Sequence, residues 1–318
     1  MKLILPDHIF PELEARLPEG SLVATYTREG EIEGDPSDAE VYLHWFQWYL
    51  SVEVLDQVLS RAPQVRWLHT PTTGINHLQR STLVPQRDLT LTHGAGAFAI
   101  PIAEYVFTYM LAHTKQVDKL RALQSERTWF RPLQLNELYG KTILILGTGT
   151  LGQAIAERAQ VFGLRVWGSR RHPQPTPGFD QIFDTQSWRQ VLGEVDFLVV
   201  ATPLTPETKG MITHEIFAAL PNHAYLINVA RGAIINEADL IEALQTDQIA
   251  GATLDTFTTE PLPSDHPLWS RSNVLISPHC SGSSPAVHQR SIDIFLDNLH
   301  RYQSGIPLRN RVDWQAGY

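Results

Sequence analysis

From residue 141 onward the sequence alternates short, almost uninterrupted apolar runs with longer amphipathic stretches, and this alternation restricts the fold more than any other feature. KTILILG (141–147), LRVWGS, DFLVVAT (196–202), AYLINVA (224–230), IAGATLD (249–255) and NVLIS (273–277) read as buried strands. Between them LGQAIAERAQVFG (151–163), HEIFAALP and NEADLIEALQ read as helices. In the first, Leu151, Ile155, Ala159 and Phe162 share a face and Gly163 supplies a stop; in the third, Asn236 with Asp239 three residues on makes a cap. Strands apolar on both faces and separated by helices require a parallel sheet covered on both sides. The chain is therefore predicted to be α/β, with a doubly wound parallel-sheet domain.

The first hundred residues carry a weaker version of the pattern: LILP, VYLHW, VRWLHT and LTLTHG, with a helical LSVEVLDQVLSRAP among them. They predict a smaller, flavodoxin-like α/β domain. PIAEYVFTYMLAHTKQVDKLRALQ (101–124) reads as one long amphipathic helix with Pro101 in its first turn, crossing between domains. A last helix over 287–305 follows the final strand and returns to the small domain. The predicted division is 1–98 with 287–318 for the smaller domain and 99–286 for the larger.

Composition narrows the function classes. A net charge of −9 argues against a general binder of nucleic acid or membrane surfaces, which are themselves polyanions. No apolar run approaches the roughly 20 residues of a membrane span, and MKLILPDHIF is cut short by Pro6 and Asp7. One cysteine fits a reducing cytoplasm, and no cysteine–histidine spacing suggests a metal site.

Directly after the KTILIL strand stands Gly147-Thr148-Gly149-Thr150-Leu151-Gly152. A GxGxxG pattern that follows a strand, opens a helix and leads into a second strand is a dinucleotide signature. The glycines bring the backbone close to a pyrophosphate, which the helix N-terminus stabilises. The larger domain is thus expected to be a Rossmann domain. At the end of its second strand an acidic residue would select NAD; here stand Ser169-Arg170-Arg171-His172. Arginine grips a 2′-phosphate where a carboxylate would repel it, so NADP is preferred and NAD remains possible.

Ligands of open parallel sheets bind beyond the carboxyl ends of the strands. There AYLINVA runs into Arg231, IAGATL into Asp255 with Glu260 shortly after, and NVLIS into Pro278 and His279. Each alone reads most simply as a solvated or capping residue. Together beside a dinucleotide they suit reduction of a 2-oxo acid. A guanidinium holds the substrate carboxylate and polarises the carbonyl. An imidazolium donates the proton. Glu260 would favour that charged form and fix the ring, and Asp255 would accept from the nicotinamide carboxamide.

NVARGAIINEADLIEAL, GATLDTFTTEPLP with DHPLW, and NVLISPHCSG resemble successive signatures of the D-isomer-specific 2-hydroxyacid dehydrogenases. ILGTGTLG, ATPLTPETKGMI and APQVRWLHTPTTGINHL also match that pattern, so the resemblance spans about residues 62 to 285. It implies Arg231, Glu260 and His279 as catalytic residues, with His279 the proton donor, and backbone amides around Thr73 and Gly74 as receivers of the substrate carboxylate. It implies Thr202, Pro203, Val229, Ala230, Asp255 and Gly282 along the cofactor. Glyoxylate and hydroxypyruvate are the expected substrates, in a homodimer. Trp45, Trp48 and Trp129 either shape the pocket, Trp129 then coming from a partner subunit, or serve the core or an interface. His93 stands where many relatives carry asparagine, and Asn76 where many carry aspartate. Cys280 is read as a small buried packing residue. Two rivals share these motifs: an NAD-dependent phosphoglycerate dehydrogenase, disfavoured by Arg170-Arg171 and by the lack of an appended regulatory domain, and a non-enzymatic dinucleotide sensor.

Overall fold

The structure, a computed structural model, describes residues 1–45, 51–75, 78–131 and 133–314. Trp48 and Asn76 lie outside the described residues. The chain folds as two compact units, Met1–Ala97 with Ser284–Tyr318, and Phe98–Ser283.

The first unit begins β1 (Lys2–Pro6), α1 (Phe10–Leu13), β2 (Leu22–Tyr26), β3 (Ile32–Glu33), β4 (Val41–Leu43), α2 (Val52–Arg61), β5 (Trp67–Thr70) and β6 (Thr90–His93). Its six strands run in the order β3-β2-β1-β4-β5-β6, parallel except for the β2–β3 pair. Without the short β3 this is the flavodoxin-type order. β2 and β3 are additions to the four strands read from the sequence: LVATY mixes partly exposed with buried positions and lacks a continuous apolar run.

The second unit opens with α3 (Ala99–Thr114) and α4 (Val117–Ser125). The single helix expected over 101–124 is broken, because Gln116 adopts a left-handed φ of 50° before α4 begins. The break separates two environments: α3 buries Ala103, Val106, Phe107 and Met110, whereas α4 buries nothing. Then come β7 (Thr142–Leu146), α5 (Thr150–Val161), β8 (Arg165–Ser169), β9 (Gln181–Phe183), β10 (Phe197–Val200), α6 (His214–Ala219), β11 (Tyr225–Asn228), α7 (Glu237–Gln245), β12 (Gly251–Leu254) and β13 (Val274–Ile276). The sheet is wholly parallel in the order β13-β12-β11-β10-β7-β8-β9. Renumbered within the unit, this is the Rossmann order with one further strand. Ile143, Ile145 and Val199 pack beneath α3 and α5, while Leu144, Leu146, Leu198 and Val200 pack on α6 and α7, so both faces are covered. β13 lies at the edge, and its residues are only half-buried rather than buried as expected.

The last helix is α8 (Pro285–Gln303), whose Ile292, Phe295 and Leu299 join Leu3, Leu5 and Trp67 in the core of the first unit. Trp45 belongs to that core, 5.4 Å from His288. Among the described residues no helix is long and apolar enough to cross a membrane, and no cluster of three or more potential ligands for a metal occurs.

Candidate active site

β11, β12 and β13 lie side by side, Asn228 opposite Leu254 and Leu254 opposite Ile276. The residues that leave their carboxyl ends therefore emerge about a strand spacing apart, ~4.8 Å. Arg231 leaves β11 through a turn organised by the fully buried Asn228, whose Oδ1 accepts from Ala230 N and whose Nδ2 donates to the Arg231 carbonyl, both at 3.1 Å. Its own Nη1 donates to the Ala230 carbonyl at 2.7 Å. Burial lowers the guanidinium from its ordinary value, opposed by the nearby Glu260 carboxylate.

Gly232 explains how the Glu260 segment comes near. A Cβ there would lie 2.0 Å from the carbonyl carbon of Phe257, so the two backbones touch and only glycine fits. Phe257 N then donates to Glu260 Oε1 at 2.9 Å, leaving Oε2 to receive Nδ1 of His279 at 2.8 Å. A carboxylate only accepts, so Nδ1 carries a proton and Nε2 is the nitrogen left for exchange. The imidazole is about half exposed, at 46 % for the side chain. Thus Arg231, Glu260 and His279, expected separately from three strand ends, are brought together. Asn228 and Gly232, to which the strand-end reading assigned nothing, hold two of them in place; the NVARG stretch was their only signal.

Asp255 is fully buried. Its Oδ1 accepts from Ser277 Oγ at 2.6 Å and Cys280 N at 2.8 Å, and Oδ2 from Ser281 N at 3.0 Å. The carboxylate expected to face nicotinamide thus anchors the 277–281 turn. Cys280 is exposed, not buried: the bonds that draw in the backbone of this turn leave its side chain outside. Gly282 follows, where a Cβ would meet Phe98 Cδ1 at 2.9 Å.

The glycine turn sits between β7 and α5. Gly147, at φ 106°, presses on Ala201 and Thr202, its ideal Cβ falling 2.5 Å from the Ala201 carbonyl oxygen. Gly152 meets Gly147 O at 2.0 Å, whereas the Gly149 position opens on free space. Among the described residues no side chain caps α5, whose N-cap is Gly149, and Thr150 and Gly149 are exposed. Thr148 Oγ1 is buried without a hydrogen-bond partner among the described residues. Gly147 N donates to the Ser169 carbonyl at 3.0 Å, which sets the end of β8 beside the turn. Arg170 follows, its Nη1 3.4 Å from Thr176 Oγ1, and Arg171 Nη2 lies 3.7 Å from Glu207 Oε2. Thr202 is half-buried, Pro203 exposed, and Val229 and Ala230 buried. An open cradle, an uncapped helix start and an orphan hydroxyl fit a dinucleotide: the amides of Thr150, Leu151 and Gly152 would hold its pyrophosphate.

Thr73 and Gly74 belong to the other unit, in the loop after β5. The Gly74 carbonyl accepts from Thr72 Oγ1 at 3.1 Å, and Gly94 N donates to Thr72 O at 3.3 Å. The loop after β6 is therefore pressed against it, with a Cβ at Gly94 falling 1.8 Å from Pro71 O. His93 Nδ1 accepts from Ala95 N at 3.1 Å, and burial lowers its pKa.

Residues 107–281 match the model of the D-isomer specific 2-hydroxyacid dehydrogenase NAD-binding domain. The chain is 37% identical over 215 residues to glyoxylate/hydroxypyruvate reductase A of Serratia proteamaculans, covering 68% of each protein. The chain belongs to the D-isomer-specific 2-hydroxyacid dehydrogenases. This dehydrogenase is an oxidoreductase that uses NAD(P). A second relative, the glyoxylate/hydroxypyruvate reductase A of Yersinia enterocolitica, is 32% identical over 220 residues, 69% of each chain. Among solved structures, a dehydrogenase of the same family from Xanthobacter autotrophicus Py2, in complex with NADPH and MES, superposes with a TM-score of 0.85 at 28% identity over 100% of this chain and 99% of that one. The NADPH-dependent glyoxylate/hydroxypyruvate reductase of Sinorhizobium meliloti, in complex with NADP and sulfate, gives 0.83 at 28% identity with the same coverage.

Proposed function

We propose that this dehydrogenase reduces small 2-oxo acids of the glyoxylate and hydroxypyruvate type with NADPH, and that His279 is the general acid. The observation that carries the reading is the 2.8 Å bond from His279 Nδ1 to Glu260 Oε2 beside Arg231. It orients the ring, so that Nε2–H can pass a proton to the substrate oxygen. Arg231 would bind the substrate carboxylate and draw electron density from the carbonyl. Thr73 and Gly74 of the other unit are proposed as backbone donors to a substrate carboxylate, on the family resemblance of their loop. When bound, the reduced nicotinamide supplies the hydride to the carbonyl carbon, and the product is the 2-hydroxy acid. In the reverse direction neutral Nε2 takes the proton back.

Gly147, Gly149, Thr150, Leu151 and Gly152 would carry the pyrophosphate, with Thr202, Pro203, Val229, Ala230 and Gly282 along the rest of the cofactor. Ser169, Arg170 and Arg171 would meet the 2′-phosphate, and the absence of a carboxylate at the end of β8 supports NADP over NAD. A homodimer is supported by the exposed aromatic side chains of Trp129, at 86 %, and Phe130, at 51 %.

The test is steady-state oxidation of NADPH and NADH with glyoxylate, hydroxypyruvate, pyruvate and phenylpyruvate. Turnover is expected with glyoxylate and hydroxypyruvate first and NADPH ahead of NADH. In the His279→Ala variant kcat should fall by about 10²–10⁴ while NADPH still binds. Equal use of both cofactors would remove the arginine argument, and a fully active variant the acid.

A further inference from the structure

His279 has a φ of +51°, a left-handed conformation that a side chain other than glycine keeps only where its surroundings impose it. What imposes it is the buried Asp255 carboxylate. It binds the peptide N–H groups of Cys280 and Ser281, immediately after His279, and the hydroxyl of Ser277, two residues before. The chain is gripped on both sides of the histidine. Behind Ser277 stands Tyr105 of α3, its Oη 2.5 Å from Ser277 Oγ. The single hydroxyl proton of Ser277 goes to the carboxylate, so Tyr105 is the donor in that contact.

We propose that Tyr105 is a positioning residue for the general acid: through Ser277 and Asp255 its hydroxyl fixes the turn that carries His279, and with it the approach of the imidazole to Glu260. The proposal rests on the reading of His279 as proton donor. Burial raises the Tyr105 hydroxyl above its ordinary pKa, which keeps it a donor throughout the working range. Its ring packs edge-on against Tyr109, 4.5 Å between centroids. Phenylalanine would keep that contact and remove the hydroxyl alone.

Tyr105→Phe is the variant to measure, in the full-length protein with NADPH and glyoxylate. The expected result is a kcat lower by about tenfold, a loss typical of a mispositioned acid, with the KM for NADPH and the melting temperature unchanged. Ser277→Ala should lose as much, and the double variant no more than either single one. The His279 imidazole C–H resonance, assigned by its disappearance in His279→Ala, should shift in Tyr105→Phe. An unchanged kcat with an unmoved resonance overturns the proposal, as does a loss accompanied by weakened NADPH binding and lower melting temperature, which would make Tyr105 a packing residue only. If the wild type turns over no 2-oxo acid, the functional reading fails by itself, and the resonance still decides whether Tyr105 governs His279.

Discussion

Gly149 and Gly152 belong to one turn, yet different constraints keep them free of a side chain. At Gly152 a Cβ would strike Gly147 O at 2.0 Å, whereas at Gly149 none of the described residues lies within 4 Å. Gly152→Ala should therefore lower the melting temperature by several degrees and abolish NADPH binding, because the backbone has to move. Gly149→Ala should melt like the wild type and still bind NADPH at least tenfold more weakly, its methyl occupying the space of the pyrophosphate. Fluorescence titration and a thermal scan of both variants check this; equal effects on melting would contradict it. At this scale the sequence was most readable in the placement of residues three positions beyond the end of a parallel strand, as Arg231 is after β11 and His279 after β13. It was unreadable where the role depends on which donors wrap round a group. Asp255 looks from the sequence like any acid at a strand end. Only the fold shows that Ser277, Cys280 and Ser281 converge on it.

Among the elements, β5 introduces a histidine into the core of the first unit. His69 is fully buried, and its Nδ1 lies 2.7 Å from Thr92 Oγ1, which also accepts from Trp67 Nε1 at 2.8 Å. Both contacts are to a neutral hydroxyl, which offers no charge to hold an imidazolium, and His69 is neutral. Burial, with the charge of His93 adding to it, lowers its pKa from 6.5 to about 3. Between these values the unfolded chain binds a proton that the folded one does not. Stability is full above pH 6.5 and declines as pH falls towards 3, by about 1.4 kcal/mol per unit for this group. His93 and His113, lowered by burial as well, act in the same direction. Urea unfolding at pH 7 and pH 4.5 should show the loss, and His69→Gln should shrink it by roughly one proton's worth of slope. An identical slope would mean the histidine is not buried neutral. Strong apolar runs such as those of β7, β10, β11 and β12 announced themselves as elements. β9, three residues long, and the break at Gln116 did not, because the first depends on pairing with β8 and the second on where burial of the helix ends.

For the whole molecule, the fold class was legible as soon as alternation and the glycine turn were read together, since parallel strands joined by helices allow few arrangements, whereas the order of the strands comes from the structure. What surrounds the molecule was less legible, because the exposure of a side chain depends on the folded surface. Leu120, Trp129, Phe130, Leu135 and Tyr139 are all exposed within one unit. A surface of this kind is expected to be covered by a second copy. Replacing Trp129 and Phe130 by aspartate should convert a dimer to a monomer in sedimentation velocity without changing the far-ultraviolet spectrum. A wild-type monomer at micromolar concentration would refute this. A different consequence follows from Cys280. It is the chain's single cysteine, exposed, and adjacent in sequence to His279. A maleimide dye would therefore attach at one defined point without any engineered thiol, and its emission would follow the arrival of NADPH or of an acid at the reacting end of the sheet in real time.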